Sequence, residues 1–289
     1  MITFAFAFVL VLISEPLFVS NPTQPLEFIM ITSEKAADLH KVFVLLSGGV
    51  DSTTTLAMAY HEFPSSPIET VTVNYGQRHI KEKMSAEWQS AFYSATHVEL
   101  HAQGMLTGML VNKGDANEAI PNASYADLPH GISLTYVSFR NGFMLSLLAA
   151  RAQSWVMEQE KKLKHSDMKV SATLYVGVHA DDGANDAYPD CTLEFVGAMS
   201  NAIQVGTYGK VRLRAPLVHM DKSEVIRWGV RHDVDYSHTW SCYAGEEKHC
   251  GTCPTCRARH QAFYDAGSSD PTEYAVHPDL SYPHFEHGG

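Results

Sequence analysis

Residues 47–52, Ser-Gly-Gly-Val-Asp-Ser, have the composition of a loop that binds an anion. Two adjacent glycines allow a tight turn and let the backbone approach a ligand without a Cβ in the way. The flanking residues predict a strand before the loop and a helix after it, with free N–H groups and the positive dipole end aimed into the loop. Because Ser47, Ser52 and Thr53 add hydroxyl donors, we expect a phosphate site. It lacks the lysine of the Gly-x-x-x-x-Gly-Lys loop, and Asp51 indicates either a helix cap or a ligand of a divalent cation.

Four of the five cysteines lie close together near the C-terminus. A Cys-x-x-Cys motif presents two thiolates to one tetrahedral ion. An odd number of cysteines, most of them clustered, is not typical of the disulfide framework of a secreted protein. We therefore predict one structural zinc ion per chain, bound by Cys242, Cys250, Cys253 and Cys256. The alternative is an iron–sulfur cluster, because the last three cysteines match three of the four in a bacterial ferredoxin run, although His260 stands where the fourth would be.

From Lys41 onward, apolar β-branched runs alternate with stretches of helical spacing. This alternation predicts an α/β fold with a parallel sheet covered by helices on both faces, which is a doubly wound architecture. The predicted strands are 41–47, 69–76, 97–102, 173–180 and 211–217, and the predicted helices are 53–62, 79–95, 139–164, 193–206 and 221–233, the last with Asp221 as its N-cap. Residues 103–135 form a mixed stretch that we interpret as a lid or a partly helical excursion.

Ligands of such sheets bind beyond the carboxyl ends of the strands. Four segments follow or adjoin predicted strand ends, so we expect them to lie near one another: residues 47–52, 74–79, 138–141 and 179–191. Within the last segment, Asp181, Asp182 and Asp186 form an acidic run that we interpret as a solvated loop. Cys191 is expected to be a small buried residue, with a covalent thioester role as the alternative.

The chain has 289 residues and a net charge of -11, which argues against non-specific binding to nucleic acid or anionic membranes. Residues 2–13 are apolar but too few for a membrane span, and they lack the positive leader of a signal peptide. A second Met-Ile-Thr at Met30 leads us to predict that the natural chain starts there and that residues 1–29 are an added apolar extension. We expect a catalytic domain at 40–238, a cysteine-rich zinc element at 239–268, a tail at 269–289, and a cytoplasmic location.

The loop at 47–52 resembles the pyrophosphate loop of the N-type ATP pyrophosphatase superfamily, whose fold is adenine nucleotide alpha hydrolase-like. Further blocks narrow the resemblance: Asn-Tyr-Gly-Gln-Arg-His at 74–79, Tyr-Val-Ser-Phe-Arg-Asn-Gly at 136–142, Ala-Tyr-Pro-Asp-Cys at 187–191, Thr-Trp-Ser-Cys-Tyr at 239–243 and the final cysteine run. In this order, from about residue 42 to about residue 263, they are similar to the 7-cyano-7-deazaguanine synthase family. Ser138, where the pattern has proline, and the N-terminal extension depart from it.

The resemblance implies an ATP-dependent ligase of queuosine biosynthesis. It would convert 7-carboxy-7-deazaguanine and ammonia to 7-cyano-7-deazaguanine by activating first the carboxylate oxygen and then the amide oxygen, with Mg²⁺ accompanying ATP. It also implies a homodimer. The implied ATP-binding residues are Leu46, Ser47, Gly48, Gly49, Val50, Asp51, Ser52, Thr53, Asn74, Arg78 and His79. The implied catalytic residues are Asp51, Arg140 and Lys222, and the implied substrate-binding residues are Arg140, Asn141, Tyr188 and Asp190.

Several of these residues have a structural alternative. The planar fork of Arg140 suits an α-phosphate or a carboxylate, and a cation in the first turn of a helix needs a reason other than the helix dipole. Asp190 is interpreted either as a reader of the amino-pyrimidinone edge of the substrate or as a helix cap, and Lys222 either as a phosphate ligand or as a lysine of a capping turn. For the whole chain, the alternatives are a tRNA thiolase, an ammonia-using synthetase, or a zinc-binding module with a vestigial nucleotide site.

Overall fold

The computed structural model describes residues 38–76, 80–106, 133, 135–184, 187–244 and 247–280, all within one compact unit, Ala37–Gly289. Several predictions fall outside the described residues. These are the extension at 1–29, the candidate ligands Arg78 and His79, Asp186, most of the excursion at 103–135, and residues 281–289.

Five parallel strands form one sheet in the order β3-β2-β1-β4-β5. They are β1 (Leu39–Leu45), β2 (Ile68–Asn74), β3 (Thr96–His101), β4 (Val170–Tyr175) and β5 (Val211–Arg214). The strand order reverses between β1 and β4, and a crevice at such a reversal is where open α/β sheets bind ligands. The predicted doubly wound parallel sheet is confirmed.

Seven helices cover the described part of the sheet or follow it. They are α1 (Val50–Glu62), α2 (Ile80–Phe92), α3 (Arg140–Lys162), the short α4 (Ala180–Gly183), α5 (Leu193–Gly206), α6 (Lys222–Arg231) and α7 (Pro254–Asp265). A 3-10 turn at Pro189–Cys191 precedes α5. Helix α4, this turn and α7 are not among the predicted elements.

The sheet has an apolar core on each face because its central strands are buried on both sides. In β1, Phe43 faces α3 and α5, whereas Val42 and Val44 face α1, α2, α6 and α7. This two-sided burial is the physical reason for the continuous apolar run in the sequence. Ala262 and Phe263 of α7 share the second core with Val42 and Val44, so α7 packs directly on the sheet.

The ends of the elements differ from the predicted ones by a few residues. Helix α1 begins at Val50 and not at Thr53, with Gly49 as its N-cap in extended conformation. The Asp221 N-cap of α6 is confirmed: its carboxylate accepts from the amide of Glu224 at 2.8 Å, and the Glu224 carboxylate accepts from the Asp221 amide at 3.0 Å. This reciprocal pair is a capping box.

A buried ion pair ties residues beyond α7 to the cysteine-rich element. Arg259 is fully buried and lies 3.1 Å from Asp270, whose other oxygen accepts a hydrogen bond from the Tyr274 hydroxyl. Arg259 also donates to the Thr239 hydroxyl at 2.7 Å. Breaking a buried pair on one side costs about 3–5 kcal/mol, so these contacts hold the element firmly together.

Among the described residues, no helix has both the length and the apolar character that crossing a bilayer requires.

Candidate functional site

The loop at 47–52 closes on itself through short hydrogen bonds that leave its amides at the head of α1. The amide of Ser47 donates to the Ser52 hydroxyl at 3.2 Å, and the Ser47 hydroxyl lies 3.1 Å from the same oxygen. Leu46 and Val50 are buried and anchor the loop from below. Thr53 is fully buried, and its hydroxyl has no hydrogen-bond partner among the described residues. The loop therefore has the form of an anion cradle at a helix N-terminus.

Gly48 is the position where this loop requires glycine. Its φ is +86°, and an added Cβ would lie 2.5 Å from the backbone oxygen of Glu82 and 2.7 Å from the amide nitrogen of Ala86. Its carbonyl accepts from the Ser85 hydroxyl at 2.6 Å and from the amide of Trp240 at 2.9 Å. The loop is thus held between α2 and the start of the cysteine-rich element.

Replacing Gly48 by alanine is expected to lower the free energy of unfolding by about 2–5 kcal/mol. This loss is the sum of two costs, the left-handed backbone conformation and the clash of the new Cβ with the backbone of α2. Gly209 is a matched control, because its φ is +72° but an added Cβ would meet nothing within 4 Å. Gly209→Ala should therefore cost only about 1–2 kcal/mol. Urea unfolding of both variants measures the difference, and equal losses would contradict the clash.

Asp51, Lys222 and His179 converge at the reversal point of the sheet. The Lys222 ammonium lies 2.8 and 3.1 Å from the two Asp51 oxygens and 3.3 Å from His179 Nε2. Burial alone would raise the pKa of Asp51, but Lys222 and His179 outweigh it and hold that pKa below its ordinary value. Burial likewise opposes the charge of Lys222, and Asp51 outweighs it and raises the Lys222 pKa. Both groups are therefore charged at neutral pH.

The acidic run after β4 belongs to the same cluster. His179 Nε2 lies 3.4 Å from Asp182 Oδ2, and the amide of Lys222 donates to Asp181 at 2.9 Å. The predicted solvation of Asp181 and Asp182 agrees with their exposure, although they lie in the short helix α4 and not in a loop. Their side chains remain 46% and 38% exposed, so they border the crevice and are open to a ligand.

Gly177 lets α1 approach the end of β4. A Cβ at this position would lie 2.8 Å from the Thr55 hydroxyl oxygen and 3.0 Å from the Asp51 carbonyl carbon. The close packing of the two backbones sets the distance between Asp51 on α1 and His179 after β4.

Arg140 occupies the first turn of α3 and faces the ends of β2 and β4. It forms a hydrogen bond with Tyr75, and Tyr243 and Cys191 are its other close electrostatic neighbours. Burial opposes its charge, but these neighbours outweigh burial and raise the pKa of Arg140. It also acts electrostatically on Glu82, a partly buried carboxyl on the first turn of α2. The guanidinium thus stays charged in the crevice, where a carboxylate or phosphate is a suitable ligand.

Asn141 and Asp190 bind each other. The amide of Asn141 donates to Asp190 Oδ2 at 2.8 Å, and the Asn141 side chain donates to the Asp190 carbonyl at 3.1 Å and to Cys191 Sγ at 3.1 Å. Asp190 therefore caps α3, a different helix from the one that follows it. Burial raises the pKa of Asp190 and of Cys191. The predicted burial of Cys191 is confirmed, and a thiol with a raised pKa is a poor nucleophile.

Two other candidates have hydrogen bonds that organise the site. The Tyr188 hydroxyl is buried and lies 3.1 Å from the Ser133 hydroxyl. The Asn74 side chain donates to Glu99 at 2.9 Å and accepts from the Gly76 amide at 3.2 Å, which shapes the turn after β2. Both residues fix the backbone around the crevice.

The four clustered cysteines have the geometry of a single-ion site. The Sγ atoms of Cys242, Cys250, Cys253 and Cys256 all lie within 4.8 Å of one another. One zinc ion with Zn–S bonds of about 2.3 Å places its sulfurs about 3.8 Å apart, and two of the pairs here are separated by 4.0 Å. Backbone amides donate to these sulfurs, among them that of Cys250 to Cys242 at 3.3 Å and that of Cys253 to Cys250 at 3.3 Å. Such donors favour thiolates, so the residues fit a metal with four sulfur ligands.

The structure brings together the four segments that the sequence places at strand ends. Asp51 meets His179, Asn141 meets Asp190, and Arg140 meets Tyr75. Sequence reasoning missed His179 and Gly177 as individual site residues, and it missed Glu82. The position of His179 at the end of a predicted strand could have identified it as a site residue. For Glu82, the sequence offers only its position in the first turn of a predicted helix.

The family model for the queuosine biosynthesis protein QueC matches residues 41–267 of this chain. The 7-cyano-7-deazaguanine synthase of Caldicellulosiruptor bescii is 36% identical over 245 residues, which cover 83% of this chain and 99% of the relative. That of Thermoplasma volcanium is 34% identical over 246 residues, covering 83% of this chain and 93% of the relative.

A solved structure, the U34-tRNA thiolase NcsA from Methanococcus maripaludis, covers 73% of this chain and 62% of its own with 14% identity. Its TM-score of 0.34 is too low to support a conclusion. The family model spans most of the chain, and the two relatives share at least 34% identity over 83% of it; the chain therefore belongs to the QueC family of queuosine biosynthesis proteins.

Proposed function

We propose that this protein is an ATP-dependent ligase that converts 7-carboxy-7-deazaguanine and ammonia to 7-cyano-7-deazaguanine. The observation that carries the proposal is the crevice itself: a phosphate cradle, the Asp51–Lys222 pair and the partly buried cation Arg140 lie along one edge of the sheet. The relatives named 7-cyano-7-deazaguanine synthase supply the substrate.

The reaction needs two dehydrations, from carboxylate to amide and from amide to nitrile. Oxide and hydroxide are poor leaving groups, so each oxygen is first joined to the α-phosphate of ATP while pyrophosphate departs. In the first dehydration, ammonia attacks the activated carboxyl carbon, a C–N bond forms, and the C–O bond breaks as AMP leaves with the electron pair and the nitrogen loses a proton. In the second, the activated amide loses its two N–H protons to solvent while AMP leaves with the C–O electron pair, which gives the nitrile. Catalysis of this kind depends mainly on positioning and on neutralising charge.

The residues of the crevice divide these tasks. The amides and hydroxyls of the loop at 47–52 bind the β- and γ-phosphates, and Lys222 neutralises their charge. Arg140 binds the substrate carboxylate and the α-phosphate, while Asn141, Asp190 and Tyr188 shape the pocket for the deazaguanine ring. The ionised Asp51 and the neighbouring Asp182 provide the oxygen donors that Mg²⁺ prefers, and Mg²⁺ bound with ATP supplies further positive charge to the phosphates.

The cysteine cluster is proposed to hold one zinc ion with a structural role. Four sulfurs fill a tetrahedral ion and leave no open position for chemistry, and their mutual distances suit one ion better than a multi-iron cluster. We also propose that the protein is a cytoplasmic homodimer that uses free ammonia. Reduced cysteines are consistent with that compartment.

The test is mass spectrometry of the products after mixing the purified chain with 7-carboxy-7-deazaguanine, Mg-ATP and ammonium. We expect the nitrile to appear only when all three are present. ATP cleavage with accumulation of the amide alone would support the activation site and direct attention to Ser138, and Ser138→Pro would then be the variant to assay. A folded, metal-loaded chain that leaves ATP intact would contradict the ligase proposal and favour a binding module.

A further inference from the structure

Glu82 lies on the face of α2 that packs against the phosphate loop. It precedes Ser85 and Ala86 by three and four residues, so the three share one side of the helix. Its backbone oxygen is 2.5 Å from the position of a Cβ on Gly48, and the Ser85 hydroxyl donates to the Gly48 carbonyl at 2.6 Å. The first turn of α2 is therefore in direct contact with the cradle.

In the part of the chain that the structure describes, the Glu82 carboxyl has no hydrogen bond and no ion pair within 4 Å. The charged or titratable groups that face it are Arg140 from α3 and Tyr75 from the end of β2. Burial raises the pKa of Glu82 to about 7 and outweighs the opposing effect of Arg140. The N-terminus of α2 would also lower the pKa of this carboxyl, because the helix dipole favours the ionised form there. The effect of burial outweighs this one too. An unpaired, partly buried carboxyl in a crevice is typical of a functional group.

We propose that Glu82 is a further catalytic residue, which binds the nitrogen nucleophile and accepts its proton. This inference rests on the proposed function. The carboxylate takes one proton from ammonium, and the ammonia released attacks the carbonyl carbon of the activated substrate. The C–N bond forms as the bond from that carbon to the phosphate-linked oxygen breaks, and the electron pair leaves with AMP. The nitrogen then passes a second proton to water to give the neutral amide, and Glu82 returns its proton to solvent.

The position of Arg140 supports this assignment. Arg140 is the proposed ligand of the substrate carboxylate, and among the described residues it is the cation that acts electrostatically on Glu82. We therefore infer that a nucleophile held by Glu82 is on the same side of the crevice as the carbon that it attacks. Ammonia is largely protonated at neutral pH, so the site needs both a negative charge to bind the cation and a base to deprotonate it. A general base works best when its pKa lies near the working pH, which an ordinary glutamate does not achieve.

The test compares two nucleophiles in wild type, Glu82→Gln and Glu87→Gln. Hydroxylamine is largely unprotonated at pH 7 and does not need a base before it attacks. We expect Glu82→Gln to lower kcat/KM for ammonium by about 10²-fold or more, in the usual range for a lost general base, and to lower hydroxamate formation far less. Glu87 is an exposed glutamate on the same helix, and Glu87→Gln should behave as wild type with both nucleophiles.

Equal losses with ammonium and hydroxylamine would overturn the proposal, as would a higher KM for 7-carboxy-7-deazaguanine with an unchanged kcat, which would assign Glu82 to the substrate ring. Wild-type activity of Glu82→Gln would overturn the catalytic role of Glu82 and leave the proposed function of the protein intact. A wild-type chain that forms neither amide nor hydroxamate would overturn the proposed function and this inference with it.

The unfolding temperature of Glu82→Gln distinguishes a catalytic role from a structural one. The two roles predict changes of opposite sign relative to wild type. The folded-state pKa of Glu82 lies above the unfolded value, so the folded chain binds more protons between pH 4.5 and about 7 and loses stability as pH rises through that window. Glutamine avoids this ionisation, so Glu82→Gln should unfold at a higher temperature than wild type at pH 8. A lower Tm at pH 8 would make Glu82 a structural residue and overturn the proposal.

Discussion

Replacing Cys256 by serine is expected to abolish the proposed zinc binding and to weaken the proposed use of ATP. The cluster around the cysteines is small, with three buried cysteines packed against Trp240, Cys250 and Tyr274. Structural zinc contributes about 10–16 kcal/mol of binding free energy in zinc-finger peptides, which is comparable with the whole stability of a domain. Loss of the ion should therefore unfold the segment that carries the cysteines before the sheet unfolds.

The effect is expected to reach the proposed ATP site through Trp240. Its amide donates to the carbonyl of Gly48 at 2.9 Å, and Lys81 on α2 donates to the carbonyl of Glu247 at 2.6 Å. Losing these contacts removes one wall of the phosphate loop. Because a displacement of about 1 Å can cost about 10²-fold in rate, we expect kcat/KM for ATP to fall by about that factor.

Metal analysis, far-UV circular dichroism and steady-state kinetics of Cys256→Ser measure the three parts of this expectation. Cys191→Ser is the matched control for metal content, because Cys191 lies outside the cluster and its variant should keep one metal ion per chain. A metal-free Cys256→Ser chain with unchanged kinetics for ATP would show that the phosphate loop does not depend on the cysteine-rich element.

The sequence predicted the elements of the sheet well because their burial leaves a direct trace. A strand segment covered on both faces is continuously apolar, as at Val42, Phe43 and Val44 of β1, and helices on the two faces keep their own spacing. Element ends were less predictable. Val176 and Val178 continue the apolar run of β4, but they are buried among α3 and α5 after the strand has ended at Tyr175. Hydrophobic pattern reports burial and does not report where strand pairing stops.

The sequence motifs indicated which residues belong to the site, but they did not indicate which of these residues contact one another. Asp51 and Lys222 are 171 residues apart, and only the fold shows that they form one ion pair. Asp190 looked like a cap of the helix that follows it, and the fold uses it to cap α3 instead. Glu82 carries no special sequence signal, because its burial and its unpaired carboxyl depend on how α2 packs against Gly48. Properties that arise from tertiary contacts of this kind cannot be read from local spacing.

Replacing Asp51 by asparagine is expected to lower kcat/KM for ATP by at least about 10³-fold, equivalent to about 4 kcal/mol of transition-state stabilisation. The carboxylate holds the Lys222 ammonium at 2.8 Å and is the proposed donor to Mg²⁺. Asparagine keeps the shape but loses the charge, so Lys222 is left to Asp181, Asp182 and any phosphate. Lys222→Met should cause a similar loss, and the double variant should be far from additive because both residues act on one centre.

The loss of kcat/KM should arise in the first activation step. Asp167 is an exposed residue just before β4, at the opposite end of the sheet, so Asp167→Asn controls for the substitution itself. Release of pyrophosphate in the presence of 7-carboxy-7-deazaguanine, without ammonium, isolates the first activation step. The lowered pKa of Asp51 adds stability that is present above its unfolded value and is lost as pH falls through the folded value, so Asp51→Asn should match wild type in stability in strong acid and fall below it near pH 7. An Asp51→Asn chain that releases pyrophosphate at the wild-type rate would show that Lys222 and the loop amides activate ATP without this carboxylate.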